Sequence, residues 1–171
     1  MKKLIILVVI ATLGVGLNAQ NVFNKGSIMF NAGIGGPSSY GFIPTVNFSG
    51  EVGVIPTGTI GIVSFGGLAE FQLGQYTYGY LVNNENFARF YLGPRAAWHF
   101  LGLKTNDIDV YAGVGFGIVI NGKSDTFSGN TKVHPDVFAG GRWMFGENMG
   151  LFAELGYTGL SFAKFGITFG L

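Results

Sequence analysis

From Ser27 to Leu171 apolar side chains recur at alternate positions, and the positions between them carry the charges and small polar groups. A period of two is the mark of β-strands. The run GRWMFGENMGLFAELGYTGLSFAKFGITFGL, residues 141 to 171, is the clearest case. Its odd positions, among them Trp143, Phe145, Leu151, Leu155, Tyr157, Phe165, Ile167 and Phe169, are apolar, while Arg142, Glu154, Lys164 and Thr168 sit on even ones. Charge therefore lies on the face where a soluble sandwich places its core. Lipid outside and polar side chains inside a closed wall satisfy both faces.

Extended along the chain, the same reading predicts eight strands joined by seven connections. The first covers 27 to 35, with Ile28, Phe30, Ala32 and Ile34 outward; the second covers 44 to 54, with Thr45, Asn47, Ser49 and Glu51 inward. The third, 59 to 72, has a less regular phase, with Glu70 placed inside and Phe71 outside. The fourth, 87 to 100, turns Arg89, Tyr91, Gly93, Arg95 and His99 inward, and Pro94 predicts a bulge or an unpaired position because it lacks an N–H. The fifth, from about 108 to 118, turns Asp109, Tyr111, Gly113, Gly115 and Gly117 inward; the sixth, 133 to 145, does so with Asp136, Phe138, Gly140 and Arg142. Connections at 55–58, 101–106 and 146–149 are short, those at 36–43, 73–86 and 120–132 are longer, and 158–161 is short where a long one was due. Short turns at one end and long loops at the other match the periplasmic and extracellular ends of an outer-membrane barrel.

Composition narrows the setting. Charged residues make up 11% of the 171 residues against 48% hydrophobic, with 30 Gly and 17 Phe, yet no internal apolar run approaches the roughly 20 residues of a membrane helix. The long apolar run is N-terminal: Lys2 and Lys3 precede Leu4 to Leu17, and Ala19 follows, the layout of a secretory signal peptide over 1–19 with the barrel domain over 20–171. There is no Cys, so neither a disulfide nor a lipoprotein anchor is available. A net charge of +1 offers no basis for a nucleic-acid partner.

An eight-stranded interior is narrow enough to be filled by side chains, so inward charges must pair. The expected network is Glu51, Glu70, Arg89, Arg95, His99, Asp109, Arg142, Glu154 and Lys164. A turn centred on Asn148 puts Arg142 opposite Glu154, and one centred on Gly159 puts Glu154 opposite Lys164, making Glu154 a shared anion. A turn centred on Lys104 sets Arg95 opposite Gly113 and His99 opposite Asp109, and Glu70 with Arg89 flank the longest loop as a further pair. Gly113, Gly115 and Gly117 leave room for Arg95 and Arg142 to lie across the fifth strand, which predicts a plugged core and no open channel. Trp98, Phe100, Trp143, Phe145 and Phe169 gather on the outer face near the short turns, where an aromatic girdle belongs.

Catalytic and metal chemistry find little support. No helix and no Lys-Ser or Lys-Thr signature follows the glycines, so they form no nucleotide loop. His99 and His134 fall toward opposite rims, which argues against a shared metal site. For lipid-modifying chemistry at the outer rim the candidates are His134, Ser124, Ser128, Asp125 and Asp136, of which the loop residues are ordinary turn formers. No catalytic residue, metal or cofactor is expected.

The stretches NFARFYLGPRAAWHF, DIDVYAGVGFG and GRWMFGENMGLFAELGYTGLSFAKFGITF resemble the small outer-membrane β-barrel domain family of Gram-negative bacteria, the broad class of OmpX and the OmpA barrel. The resemblance covers about the whole mature chain, is strongest from Asn86 to Leu171, and lies in patterned strands. It implies an all-β, eight-stranded antiparallel up-and-down transmembrane β-barrel in the outer membrane, contacts with outer-membrane lipid, assembly by the outer-membrane insertion machinery, and a structural or surface-interaction role. The alternatives are a transporter or narrow channel for small or apolar solutes, which needs an open lumen, and a soluble lipid-binding barrel of lipocalin type, which the inward charges Glu51, Arg95, Arg142 and Glu154 oppose.

Overall fold

In the computed structural model the alternating segments close on themselves as one antiparallel barrel in the order β1 to β8, with β8 returning to β1. The structure describes residues 22–38, 41–78, 83–103, 105–122 and 129–171. The expected leader, 1–19, lies outside them. The strands are β1 (Ile28–Gly35), β2 (Thr45–Pro56), β3 (Gly61–Tyr78), β4 (Asn83–Phe100), β5 (Ile108–Asn121), β6 (Asn130–Met144), β7 (Met149–Thr158) and β8 (Ser161–Gly170), with a short 3-10 turn at Leu101–Leu103. The Leu171 N–H donates to the Ile28 carbonyl at 2.9 Å, joining the two ends of the barrel sequence.

Faces follow the predicted alternation. Phe30, Phe48, Phe65, Phe116, Leu155 and Phe165 stand exposed on the outer wall, while Asn31, Asn47, Glu51, Arg95, Asp109, Arg142, Glu154 and Lys164 are buried inside. The irregular phase of β3 has a physical cause. Ile62 and Leu68 point inward with Glu70 and are buried, because each packs against an apolar plug at one end of the lumen.

β3 and β4 are 18 residues each, longer than the roughly 9–11 residues a bilayer crossing takes. This corrects the long loop expected at 73–86: the ladder continues to Tyr78↔Asn83 and leaves four residues between the strands. Beyond a bilayer both faces meet water, so alternation no longer marks a strand there. At Pro94 the register Gly67↔Pro94 holds on one side, whereas on the other the β4–β5 ladder omits Gly93 and Pro94 and resumes without a shift. Bulges interrupt β2–β3 at Gly53/Ile55 and β7–β8 at Leu155/Thr158.

Two registers differ from expectation by two residues. Glu154 lies opposite Gly140, and Arg142 opposite Phe152; Arg95 lies opposite Gly115, and His99 opposite Tyr111. Parity is preserved because the buried face forbids a one-residue slip, but a turn whose centre moves by one residue shifts every partner by two. The β7–β8 hairpin, turning about Gly159, does place Glu154 opposite Lys164.

Candidate functional site: a charge-filled lumen closed at both ends

The interior is arranged in layers along the barrel axis. Nearest the short turns, β2, β4, β5 and β6 bring Glu51, His99, Asp109 and Arg142 into one ring. Arg142 donates to Asp109 across adjacent strands at 2.8 Å, to Glu51 across the lumen, and through Nε to Asn31 at 3.3 Å. His99 lies between the same carboxylates, with Nδ1 at 2.9 Å from Asp109 and Nε2 at 3.2 Å from Glu51. The Ser64 hydroxyl donates to Glu51 at 2.6 Å and lies 3.0 Å from His99 Nε2. Every member of this ring is buried, so each charge depends on the others in place of water.

Phe23 seals that end. The segment before β1 folds back beneath the barrel, with the Gly26 N–H on the Gly53 carbonyl at 2.8 Å and the Gly53 N–H on Ser27 at 3.0 Å. Its ring is 1% exposed and stacks on His99 with centroids 3.8 Å apart, beside Met29 and Ile62. Nothing in the alternating pattern marks Phe23, because it precedes the first strand; its traces are the inward apolar Met29 and Ile62.

In the middle layer Arg95 from β4 forms a two-pronged pair with Glu154 from β7, one prong at 3.2 Å, and the Tyr111 hydroxyl donates to the same carboxylate at 3.0 Å. The cations also lie over rings, Arg95 3.8 Å from the Phe138 centroid and Arg142 4.4 Å from that of Tyr111. Glu154 is thus shared, but between Arg95 and Tyr111; the expected pairs with Arg142 and Lys164 do not form. The bare face of β5 is used differently too. Phe138 covers Gly113, the Tyr91 ring covers Gly117, and Arg95 rises beside Gly115, while Arg142 lies over Tyr111.

At the long-loop end two carboxylates hold a turn inside the lumen. Glu70 accepts from the Leu160 N–H at 2.8 Å and from Ser161 and Thr45, with Lys164 Nζ at 3.5 Å. Asp136 accepts from the Gly159 N–H at 3.0 Å and from the Tyr91 hydroxyl. Lys164 donates to the Thr158 and Ser161 carbonyls at 2.7 and 3.1 Å, holding the same turn from below. Leu160, 4% exposed, packs against Leu68, Tyr91 and Val119 and caps the lumen. The β7–β8 connection is short because it folds inward. The expected Glu70–Arg89 pair is replaced: Arg89 is half-buried and donates to Asn121 at 2.9 Å and Gln72 at 3.3 Å.

Among the described residues, five buried carboxylates face Arg95, Arg142, Lys164 and His99. Hydroxyls and backbone N–H groups complete the count, which is why Glu70 and Asp136 end on the β7–β8 turn. Gly159 adopts φ +61° there, and a Cβ at that position would run into the Glu70 carboxylate. Gly159→Ala is therefore expected to destabilise the folded barrel by about 1–3 kcal/mol, the range for a strained non-glycine backbone, as a lower urea midpoint in detergent or vesicles.

Of the candidates for lipid-modifying chemistry, Ser124, Asp125 and Ser128 lie outside the described residues. His134 Nδ1 lies 3.3 Å from Asp136, and its ring stacks on Tyr157 at 4.4 Å. No metal-binding group of His, Asp and Glu occurs among the described residues. Trp98, Phe100, Trp143, Phe145 and Phe169 all stand on the outer wall. Trp98 and Phe100 are 5.8 Å apart, and Trp143 and Phe145 6.2 Å.

No family model matches the sequence, and no curated protein matches it either. Solved structures do. The N-terminal β-barrel domain of Pseudomonas aeruginosa OprF superposes with a TM-score of 0.53 at 18% identity, over 86% of this chain and 98% of that one. Ail of Yersinia pestis, the attachment invasion locus protein, in complex with the heparin analogue sucrose octasulfate, gives a TM-score of 0.47 at 16% identity, over 86% and 96%. A second structure of Ail gives 0.43 at 15%, over the same shares. At these identities the likeness is one of fold, carried by OprF: the chain has the closed, eight-stranded, up-and-down antiparallel fold of that barrel domain.

Proposed function

We propose that this protein is an integral outer-membrane barrel with a structural or surface-interaction role and no catalytic activity. One observation carries the reading: the wall's apolar side chains face outward while the buried charges face inward, the reverse of a water-soluble barrel. A leader over 1–19, cleaved on export, and assembly by the outer-membrane insertion machinery belong to the same reading. So does a girdle role for Trp98, Phe100, Trp143, Phe145 and Phe169 at the short-turn interface. The long β3–β4 hairpin and the β5–β6 connection are the parts presented to the exterior.

Closure at both ends favours this role over transport. Phe23 and Leu160 cap a lumen crossed by Arg142–Glu51 and Arg95–Glu154, so a solute path requires breaking buried ion pairs. Expressed with its leader in a Gram-negative host, the protein is expected in the outer-membrane fraction and is released by detergent alone. Recovery in buffer without detergent overturns the reading. In planar bilayers the purified barrel is expected to give no steady channels, and conductance of porin size establishes the transporter alternative.

A further inference from the structure

The two stoppers of the lumen are held in different ways. Leu160 belongs to a turn fixed on both sides by the paired strands β7 and β8, and the N–H groups of Gly159 and Leu160 are taken by Asp136 and Glu70. That turn cannot leave without breaking the wall. Phe23 lies outside every ladder, and among the described residues no main-chain hydrogen bond holds it or Val22. Its ring is kept in place by packing on His99, Met29 and Ile62.

The fold-back beneath the barrel is made by a small turn. The Ser27 N–H donates to the Asn24 carbonyl at 3.0 Å, and the Asn24 N–H donates to Ser27 Oγ at 3.0 Å. Gly26 stands within it at φ +89°, a left-handed conformation open to glycine, and a Cβ there would meet nothing within 4 Å. The main chain is tied to β2 only at this elbow, by the Gly26 N–H on the Gly53 carbonyl and the Gly53 N–H on the Ser27 carbonyl. Undoing the turn therefore frees Val22 and Phe23 without breaking a ladder pair. The packing is also loose here: a cavity of about 10 Å³, close to the least that holds one water, is lined by Val22, Phe23, Leu101, Leu103 and Asp109.

We propose that residues 22–26 are a hinged strap, with its elbow at Gly26, that swings off the short-turn mouth while the wall and the upper stopper stay closed. Its opening admits water and small solutes to the ring of Glu51, His99 and Asp109. The Arg95–Glu154 pair still crosses the middle layer, so the open strap exposes a blind pocket and no channel.

The test reads carbethoxylation of His99 by mass spectrometry in the unmodified full chain in vesicles, at urea concentrations below the unfolding transition. His134, the other of the two histidines in the sequence, reports reagent activity in every sample. Swinging so short a strap exposes little surface, so the His99 rate is expected to stay nearly constant with urea until the transition begins. With about 0.1–10% of molecules open, the ordinary population of a minor state, it lies about 10- to 1,000-fold below that of Phe23→Ala. Gly26→Ala strains the closed elbow and not the open one. It is expected to raise the rate about fivefold or more and to keep it independent of urea. A His99 rate that climbs with urea along the slope of global unfolding, or no modification before the transition, overturns the strap and leaves Phe23 a fixed plug. Gly26→Ala at the unmodified rate overturns it as well. Should Phe23→Ala fail to fold, the urea dependence and Gly26→Ala still decide.

Discussion

Arg142→Met is expected to lower the stability of the barrel by about 3–5 kcal/mol, the loss that follows when one partner of a buried ion pair is removed. The size of the effect comes from what is left behind. Arg142 serves Glu51 and Asp109 at once, and without it two buried carboxylates share only His99 and Ser64. Methionine fills much of the vacated volume, so the loss reports orphaned charge more than a cavity. Adding Glu51→Gln and Asp109→Asn to Arg142→Met is expected to recover part of the loss, because the triple variant keeps the shapes and removes the uncompensated charges. Urea titration of vesicle-embedded barrel, followed by far-ultraviolet circular dichroism, measures all of these. Equal midpoints for Arg142→Met and the unmodified chain contradict the ring as a support of the fold.

Phe23→Ala is the second large change. Truncating a buried phenylalanine costs about 3–5 kcal/mol, and here the space lies over the His99 ring at the mouth of the lumen. Water entering from the short-turn end then reaches His99, which is 0% exposed while Phe23 is in place. Carbethoxylation read by mass spectrometry separates this from general loosening. His99 is expected to resist the reagent in the unmodified chain and to react in Phe23→Ala, whereas Phe23→Leu, which keeps most of the plug, restores protection. Reaction of His99 at the same rate in all three proteins contradicts the plug.

These two residues also show where sequence reading reaches its limit. Parity alone places Arg142 in the interior, since its neighbours Gly141 and Trp143 belong to the apolar face. Parity does not give its partners, because a lumen one or two side chains wide lets a long cation reach the far wall, and Glu51 is distant from it in sequence. The turn arithmetic pairs His99 with Asp109 by setting them opposite one another; the ladder offsets them by two residues, and the side chains meet diagonally. Phe23, ahead of the first strand, has no periodic context. Leu160 sits in a two-residue turn whose brevity is legible in the sequence, but whose inward fold depends on Glu70 and Asp136 arriving from strands elsewhere on the wall.

The sequence by itself determined the strand count, the face each residue takes and the inversion of polarity, because period-two alternation and turn residues are local properties of the chain. Only the tertiary structure decided the turn centres, which charges meet, and how the lumen is stopped at each end. Pairing across a closed barrel depends on register accumulated around all eight strands, so a one-residue change at one turn moves every contact beyond it by two.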